Sequence, residues 1–495
     1  MNVLPRSWVL RPALALSAAL LIVASHTASA VATTDLNLPQ LGEPADVNLS
    51  PAQEREIGAS VAAEIYRENY TLDDLELNDY VNAIGEQLAG ASKTKPPPVH
   101  LFVVRDPRIN AFALPGGFIG LNVGTLMVAD NESELAGVLG HELAHITQRH
   151  IARSIGEGQA GTIATWLGVI AAIIAGSANP DVVMGALGVG QAINYQRQVS
   201  YTRAHEQEAD RIGIQTMAAA GFDPRGMADF FEKLAQESRL YGNRVPELLL
   251  THPLSTNRMA EAEARAAELG PIHHQDSLEF GLMQARARVL VADNPADALN
   301  FYTRQLAAGR NSLDNRYGMA LAQFTMSQIP AALDTLSPLA EQYPKQANVQ
   351  LLYAQILEQN GHLDTALDVY GKLLQLYPQY APAMLDYAQA LMDANRPDDA
   401  RQYLISHDQS QGTQPETYRL LAQAARQSNN YPEAAYQMGT YLLTRGDPGS
   451  ALEQIDAGLR LPGLTPQERA RLVAKRAEVR AQMPDRYGGG DGPQS

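Results

Sequence analysis

The chain has 495 residues, 38 Lys and Arg against 54 Asp and Glu, a formal net charge of −16 and no cysteine. That acidity argues against nucleic acid as a partner, and the lack of cysteine excludes disulfides and a lipoprotein anchor. The length exceeds what one hydrophobic core holds, so two or more domains are expected.

Residues 1–30 read as a secretory signal peptide. Arg6 and Arg11 form a basic start, Ala13–Ala24 is apolar, and Ala28-Ser29-Ala30 is an A-x-A cleavage site. The apolar stretch is too short to span a membrane. The mature chain is expected to begin near Val31, and losing the two arginines takes the charge from −16 to −18. A cysteine-free exported chain suits a bacterial periplasm.

Val99–Val104 is an apolar run that reads as a strand. Phe118–Val123 is expected to pair with it across Pro115-Gly116-Gly117. An exposed edge there would take an extended substrate by strand addition; an ordinary hairpin covering the core is the plainer reading.

Asn131–Arg153 reads as one helix. Asn131 and Glu134 form an N-cap and N3 pair, and Leu135, Val138, Leu139, Leu143 and Ile146 recur at helical spacing. Within it lies His141-Glu142-Leu143-Ala144-His145. Histidines four apart share a helix face, so both imidazoles can converge on one cation. Glu142 is one step round, within reach of a metal-bound water without being a ligand. This is the H-E-x-x-H arrangement of a zinc hydrolase.

A zinc site needs a third protein ligand and an open position for water. The long form with a third histidine is excluded, because Gln148 and Ile151 stand where Gly and His would be needed. His150 is one residue out of place and reads as a helix-end histidine near the negative pole of the dipole. The other route is a glutamate on a second helix. Glu206 and Asp210 share a face of the helix that Glu206-Gln207-Glu208-Ala209-Asp210 opens. The Glu could ligate while the Asp holds a ligand histidine by its far nitrogen. Glu208 is the nearest competitor but points to another face.

Between these helices, Ile163–Ala175 is apolar but too short to span a bilayer. With the Gly-rich patch Val182–Val189 it reads as a core helix hairpin or as an apolar, membrane-apposed flap over the cleft. His252 precedes a proline, so an extended loop position is expected. It is either an ordinary loop histidine or one that reaches the site, as oxyanion donor or as a fourth ligand that blocks water. His205, His273 and His274 read as solvated or linker histidines.

From about 278 to 482 the chain repeats. Ala298, Ala332, Ala366, Ala400 and Ala434 are spaced by 34, as are Ala320, Ala354, Ala388 and Ala422. Tyr343-Pro344 recurs as Tyr377-Pro378. A 34-residue period with small residues at paired helix positions is the tetratricopeptide signature. Pro295, Pro330, Pro397 and Pro432 are expected near the start of each second helix. The period loosens around Gly446–Leu461, and Gly488–Ser495 reads as a flexible tail. Such arrays bind protein segments in a concave groove.

The motifs resemble the gluzincin peptidases related to the CAAX prenyl protease and HtpX. H-E-x-x-H is followed about 60 residues later by E-x-x-x-D, preceded by Asn110–Gly117 and followed by Thr251-His252-Pro253 and Arg258. The resemblance implies that His141, His145 and Glu206 bind one zinc ion, Glu142 is the catalytic base and Asp210 supports a ligand. It implies a mainly α protein: an α+β zincin-type metallopeptidase domain with a small edge sheet (31–270), then an all-α tetratricopeptide solenoid (271–485) and a tail (486–495). Signal peptide, gluzincin domain and repeats, in that order, resemble the periplasmic β-barrel assembly-enhancing proteases. That implies endopeptidase and chaperone-like action on misassembled outer-membrane β-barrel proteins, with the outer-membrane assembly machinery as a partner through the repeats. A peripheral membrane contact is a further expectation. The alternative is a largely non-proteolytic chaperone or assembly scaffold with a latent zinc site.

Overall fold

The computed structural model describes residues 49–156, 203–240, 246–407 and 415–483, which lie in one compact unit. The signal-peptide segment, the apolar stretch Ile163–Ala175 with Val182–Val189, and the tail lie outside the described residues. No helix among those described is long and apolar enough to cross a membrane.

The protein is mainly α with one small sheet. Helices α1 (Pro51–Arg67) and α2 (Leu75–Ala91) lead into strands β1 (His100–Val104), β2 (Ala111–Leu114) and β3 (Phe118–Asn122). The expected strands do pair, but not as a hairpin across Pro115–Gly117. β1 runs parallel to β3, and the hairpin across Pro115–Gly117 joins β2 to β3, giving the order β1-β3-β2. Strand β2, inside the Asn110–Gly117 segment, is therefore an edge strand, and its four side chains are buried. Gly116 holds φ +80° in the turn, and a Cβ there would come within 2.5 Å of Arg55 Cα, so α1 can close over the hairpin only at glycine.

After the short α3 (Val123–Val128) comes α4 (Glu132–Thr147), whose first turn is capped by Asn131 Oδ1 accepting from Glu134 N at 2.9 Å. The single helix expected over Asn131–Arg153 breaks. Arg149 takes φ +53°, and α5 (His150–Gly156) sets off in a new direction. Helix α6 (Arg203–Ala219) crosses α4 at Gly140 and Gly213, where a Cβ on Gly213 would lie 3.0 Å from Gly140 C. That approach sets Asp210 and Glu206, about one and two turns N-terminal to Gly213, beside the histidine face of α4. Helices α7 (Arg225–Leu240), α8 (Glu247–Thr251) and α9 (Thr256–Leu269) complete the peptidase part.

Among the described residues the repeats form twelve helices in six pairs. First helices are α10 (Leu278–Leu290), α12 (Leu313–Thr325), α14 (Ala347–Gln359), α16 (Ala381–Asp393), α18 (Pro415–Gln427) and α20 (Pro448–Leu459). Second helices are α11 (Pro295–Ala307), α13 (Ile329–Gln342), α15 (Leu363–Leu376), α17 (Pro397–His407), α19 (Tyr431–Thr444) and α21 (Pro466–Ala481). All nine period-marking alanines are buried where helices meet. Pro295, Pro330, Pro397 and Pro432 fall in the first turn of their second helices, where a missing N–H costs nothing.

The array does not stand apart from the peptidase. One apolar core runs from α2 and the sheet into the first three repeats. Side chains of four repeats meet the chain around the start of α2, and a fifth repeat joins them through Arg286. Arg286 pairs with Asp74 at 2.7 Å and Glu76 at 2.5 Å, and donates to Tyr317 Oη at 3.1 Å. Asn348 Nδ2 donates to Glu76 Oε2 at 2.8 Å, Tyr380 Oη to the same oxygen at 3.3 Å, and Arg445 lies 3.6 Å from Asp73.

Candidate metal centre

Four buried side chains converge between α4, α6 and the end of α8: His141, His145, Glu206 and His252. His141 and His145 present their Nε2 atoms 3.0 Å apart. Glu206 places its carboxylate 3.6 Å from His141 Nε2 and 3.5 Å from His145 Nε2. His252, the residue that ends α8 before Pro253, adds Nδ1 at 3.4 Å from His141 Nε2 and 3.0 Å from Glu206 Oε1. Two or three imidazole nitrogens with one carboxylate suit a divalent ion such as zinc.

The remaining polar groups fit such an ion. Burial, reinforced by His141, His252 and His150, holds His145 well below the usual histidine range, so its imidazole is neutral, the form that ligates metals. Burial pushes the Glu206 carboxyl up, but His252 and Arg258 outweigh it and keep it ionised. Burial pushes the His252 imidazolium down, and the carboxylates of Glu206 and Glu142 outweigh that. Glu142 is fully buried and neither of its oxygens makes a hydrogen bond among the described residues; His252 Nε2 lies 3.6 Å from its Oε1. A buried carboxylate is costly without a partner, and a polar group carried on the ion answers that need.

Around the cluster further side chains hold its members in place. Asp210 Oδ1 lies 2.9 Å from His141 Nδ1. Asp210 also takes two bonds from Arg258, from Nε and Nη2 at 2.7 Å each, while Arg258 Nη1 sits 2.8 Å from Glu206 Oε2. Arg258 is 4 % exposed, so one buried guanidinium fixes both Glu206 and Asp210. The sequence placed Arg258 in the motif without a role.

Other histidines depart from expectation. His150 stands just past the end of α4, as the first residue of α5, and is fully buried. Its Nδ1 lies 2.8 Å from His145 Nδ1 and its Nε2 lies 3.1 Å from Glu208 Oε2. Burial pushes His150 down to about 4 against the pull of Glu208, so it is neutral. His205, expected to be solvated, is buried and stacks on His150 at 4.4 Å between ring centres. His274 packs on Phe222 and lies 3.0 Å from Glu132 Oε2, while His273 is exposed. Glu208 lies outside the four-residue cluster, paired with His150 and Arg153.

Beside the cluster opens a pocket of about 390 Å³. His141, Glu142, His252 and Arg258 form its polar end, and Val138, Phe230, Phe231, Leu234, Leu248 and Leu254 are among its apolar walls.

Residues 76–266 match the model of peptidase family M48, and 290–356 and 357–423 match a tetratricopeptide repeat. Over 324 residues the chain is 36% identical to the β-barrel assembly-enhancing protease of Escherichia coli, a match covering 65% of this chain and 66% of that one. It is 35% identical over 328 residues to the counterpart in Vibrio cholerae, covering 66% of this chain and 68% of the relative. Similarity extends to the mitochondrial metalloendopeptidase OMA1 of Arabidopsis thaliana, at 31% over 194 residues, covering 39% and 36%. The match to the E. coli relative thus spans just under two thirds of its length.

Proposed function

The chain belongs to the family of β-barrel assembly-enhancing proteases, and from that premise we propose that it is a zinc-dependent endopeptidase with chaperone-like action on outer-membrane β-barrel proteins in the periplasm. Its working parts are a peptidase unit at 31–270, preceded by a signal peptide at 1–30, and repeats at 271–485. His141, His145 and Glu206 are the zinc ligands in this reading. A zinc ion held by these three residues would supply Lewis acidity for activating a water and polarising the scissile carbonyl.

Glu142 takes the proton of the attacking water and returns it to the leaving amine. Asp210 holds the His141 imidazole by Nδ1 and leaves Nε2 free to ligate. Arg258 holds Asp210 and Glu206 ionised and in register. Substrate lies extended along the β2 edge, with an apolar side chain next to the scissile bond in the pocket lined by Phe230, Phe231 and Leu248. The repeats recruit misassembled clients and the assembly machinery; nucleic acid is not a partner, and a peripheral membrane contact falls to the apolar stretch 163–189.

The observation that carries this reading is Glu142, buried beside the histidine cluster with neither oxygen hydrogen-bonded among the described residues. Glu142→Gln is expected to lower cleavage of a denatured β-barrel protein by about 10²–10⁴-fold while keeping bound zinc and melting temperature. Cleavage at the wild-type rate would remove Glu142 as the base.

A second reading is favoured by His252. With Nδ1 3.0 Å from Glu206 Oε1 it stands among the ligands, so a latent site in a mainly non-proteolytic chaperone or scaffold is the alternative. His252→Ala separates the two: cleavage rises if His252 closes the site and falls if it donates to the oxyanion.

A further inference from the structure

The two histidines of the H-E-x-x-H face are supported in different ways. His141 has a carboxylate directly on its far nitrogen, Asp210 at 2.9 Å. His145 has an imidazole there instead, His150 at 2.8 Å. In an unbroken helix a residue five positions on is rotated by about 140° and would point away. His150 returns to His145 because the helix breaks at Arg149, whose left-handed backbone (φ +53°) is uncommon for a residue with a side chain. Arg149 is pinned there, its Nε 3.0 Å from Glu54 Oε2 and its Nη2 donating to Leu49 O at 2.6 Å. A costly backbone conformation held by its own ion pair marks the His145–His150 contact as a built feature.

The protons along this line are fixed by the site. His145 must turn a lone pair at Nε2 toward the ligand cluster, so its proton is on Nδ1. Two ring nitrogens 2.8 Å apart share one proton, and His150 Nδ1 is therefore the acceptor. That leaves the His150 proton on Nε2, which donates to Glu208 Oε2 at 3.1 Å. Glu208 is held as a carboxylate by Arg153, whose Nη1 donates to the same oxygen at 2.8 Å. His205 stacks flat on His150, with an interplanar angle of 12°, and keeps its ring plane in line.

We propose that His150 and Glu208 form a proton-ordered relay that orients and polarises His145 as a metal ligand, doing through one intervening imidazole what Asp210 does directly for His141. The proposal rests on the reading of His145 as a ligand. His150 and Glu208 are positioning residues: they touch neither the metal position nor substrate. Partners of this kind raise the basicity of a ligand imidazole, and their loss weakens metal binding.

The test is zinc affinity of the full-length apoprotein, measured by competition with a chromophoric chelator, so cleavage is not needed. His150→Leu removes both hydrogen bonds and is expected to weaken zinc binding by about 10–100-fold. In His150→Gln the amide oxygen can accept from His145 and the amide nitrogen can donate to Glu208, so affinity is expected within about 3-fold of wild type by the same argument. Glu208 is 25 % exposed at its side chain, so Glu208→Ala is tolerated by the fold and reports on the far end of the relay if His150→Leu fails to fold. It is expected to weaken binding by about 10-fold. Equal losses in the Gln and Leu variants, or wild-type affinity in Glu208→Ala, overturn the relay. His145→Ala is the separate control: wild-type affinity there would instead overturn His145 as a ligand.

Discussion

Where α4 faces α6, the buried ionisable side chains each have a role toward a neighbour: His141 with Asp210, His145 with His150, and Arg258 between Asp210 and Glu206. Between the repeat helices the buried residues are mainly alanine, leucine and a few tyrosines, with Ala320, Ala354, Ala366 and Ala388 fully covered. The first region fixes orientations by directed bonds, in which one lost partner leaves a buried charge. The second fixes spacing by volume, which tolerates changes in chemistry better than changes in size. The two styles meet at one seam, where Arg286 of the first repeat faces Asp74 and Glu76 of α2.

The seam gives the sharpest way to break this contrast. Arg286→Ala leaves the buried Glu76 and the half-buried Asp74 without their cation, and a loss of about 3–5 kcal/mol in unfolding free energy is expected from chemical denaturation. A loss near zero would mean that the seam behaves as volume, not as charge. Ala366→Leu tests the other side. Overpacking between repeat helices is expected to cost about 1–3 kcal/mol, with zinc affinity unchanged; a fall in affinity would show that repeat spacing reaches the metal site.

The smallest effect is a pH dependence inside the array. Burial, opposed by the Tyr370 hydroxyl and reinforced by Asp393 and Asp386, pushes Glu358 up to about 7. A carboxyl raised on folding favours the native state while it is protonated. Its contribution is complete below the unfolded value near 4.5 and is lost as pH rises through about 7. Glu358→Gln is therefore expected to melt like wild type at pH 4.5 and about 1–2 °C higher at pH 8. The opposite sign at pH 8 would mean that Glu358 is paired as a carboxylate.

What the sequence reveals follows the same division. The 34-residue spacing of alanines and the helical spacing of His141, Glu142 and His145 are local and periodic, and both the repeat helices and the ligand-bearing helices stand where those periods put them. Glu206 and Asp210 were legible because they share one helix face. Strand order was not: turn chemistry at Pro115–Gly117 marks a hairpin, but only the assembled sheet puts β1 parallel to β3. The break at Arg149 carries no glycine or proline to announce it, so His150 read as a helix-end residue and Glu208 as a bystander. Arg286 and Glu76 are 210 positions apart in the chain, and no local pattern pairs them.

The account stands on Glu206 as the carboxylate that completes the histidine pair of α4. Zinc per chain, determined by elemental analysis of the purified protein and of Glu206→Ala at equal protein concentration, tests this most directly. The account predicts about one zinc per chain in the wild type and a clear loss in the variant, with circular dichroism unchanged. Undiminished zinc in Glu206→Ala would contradict it and return Glu208 as the candidate ligand.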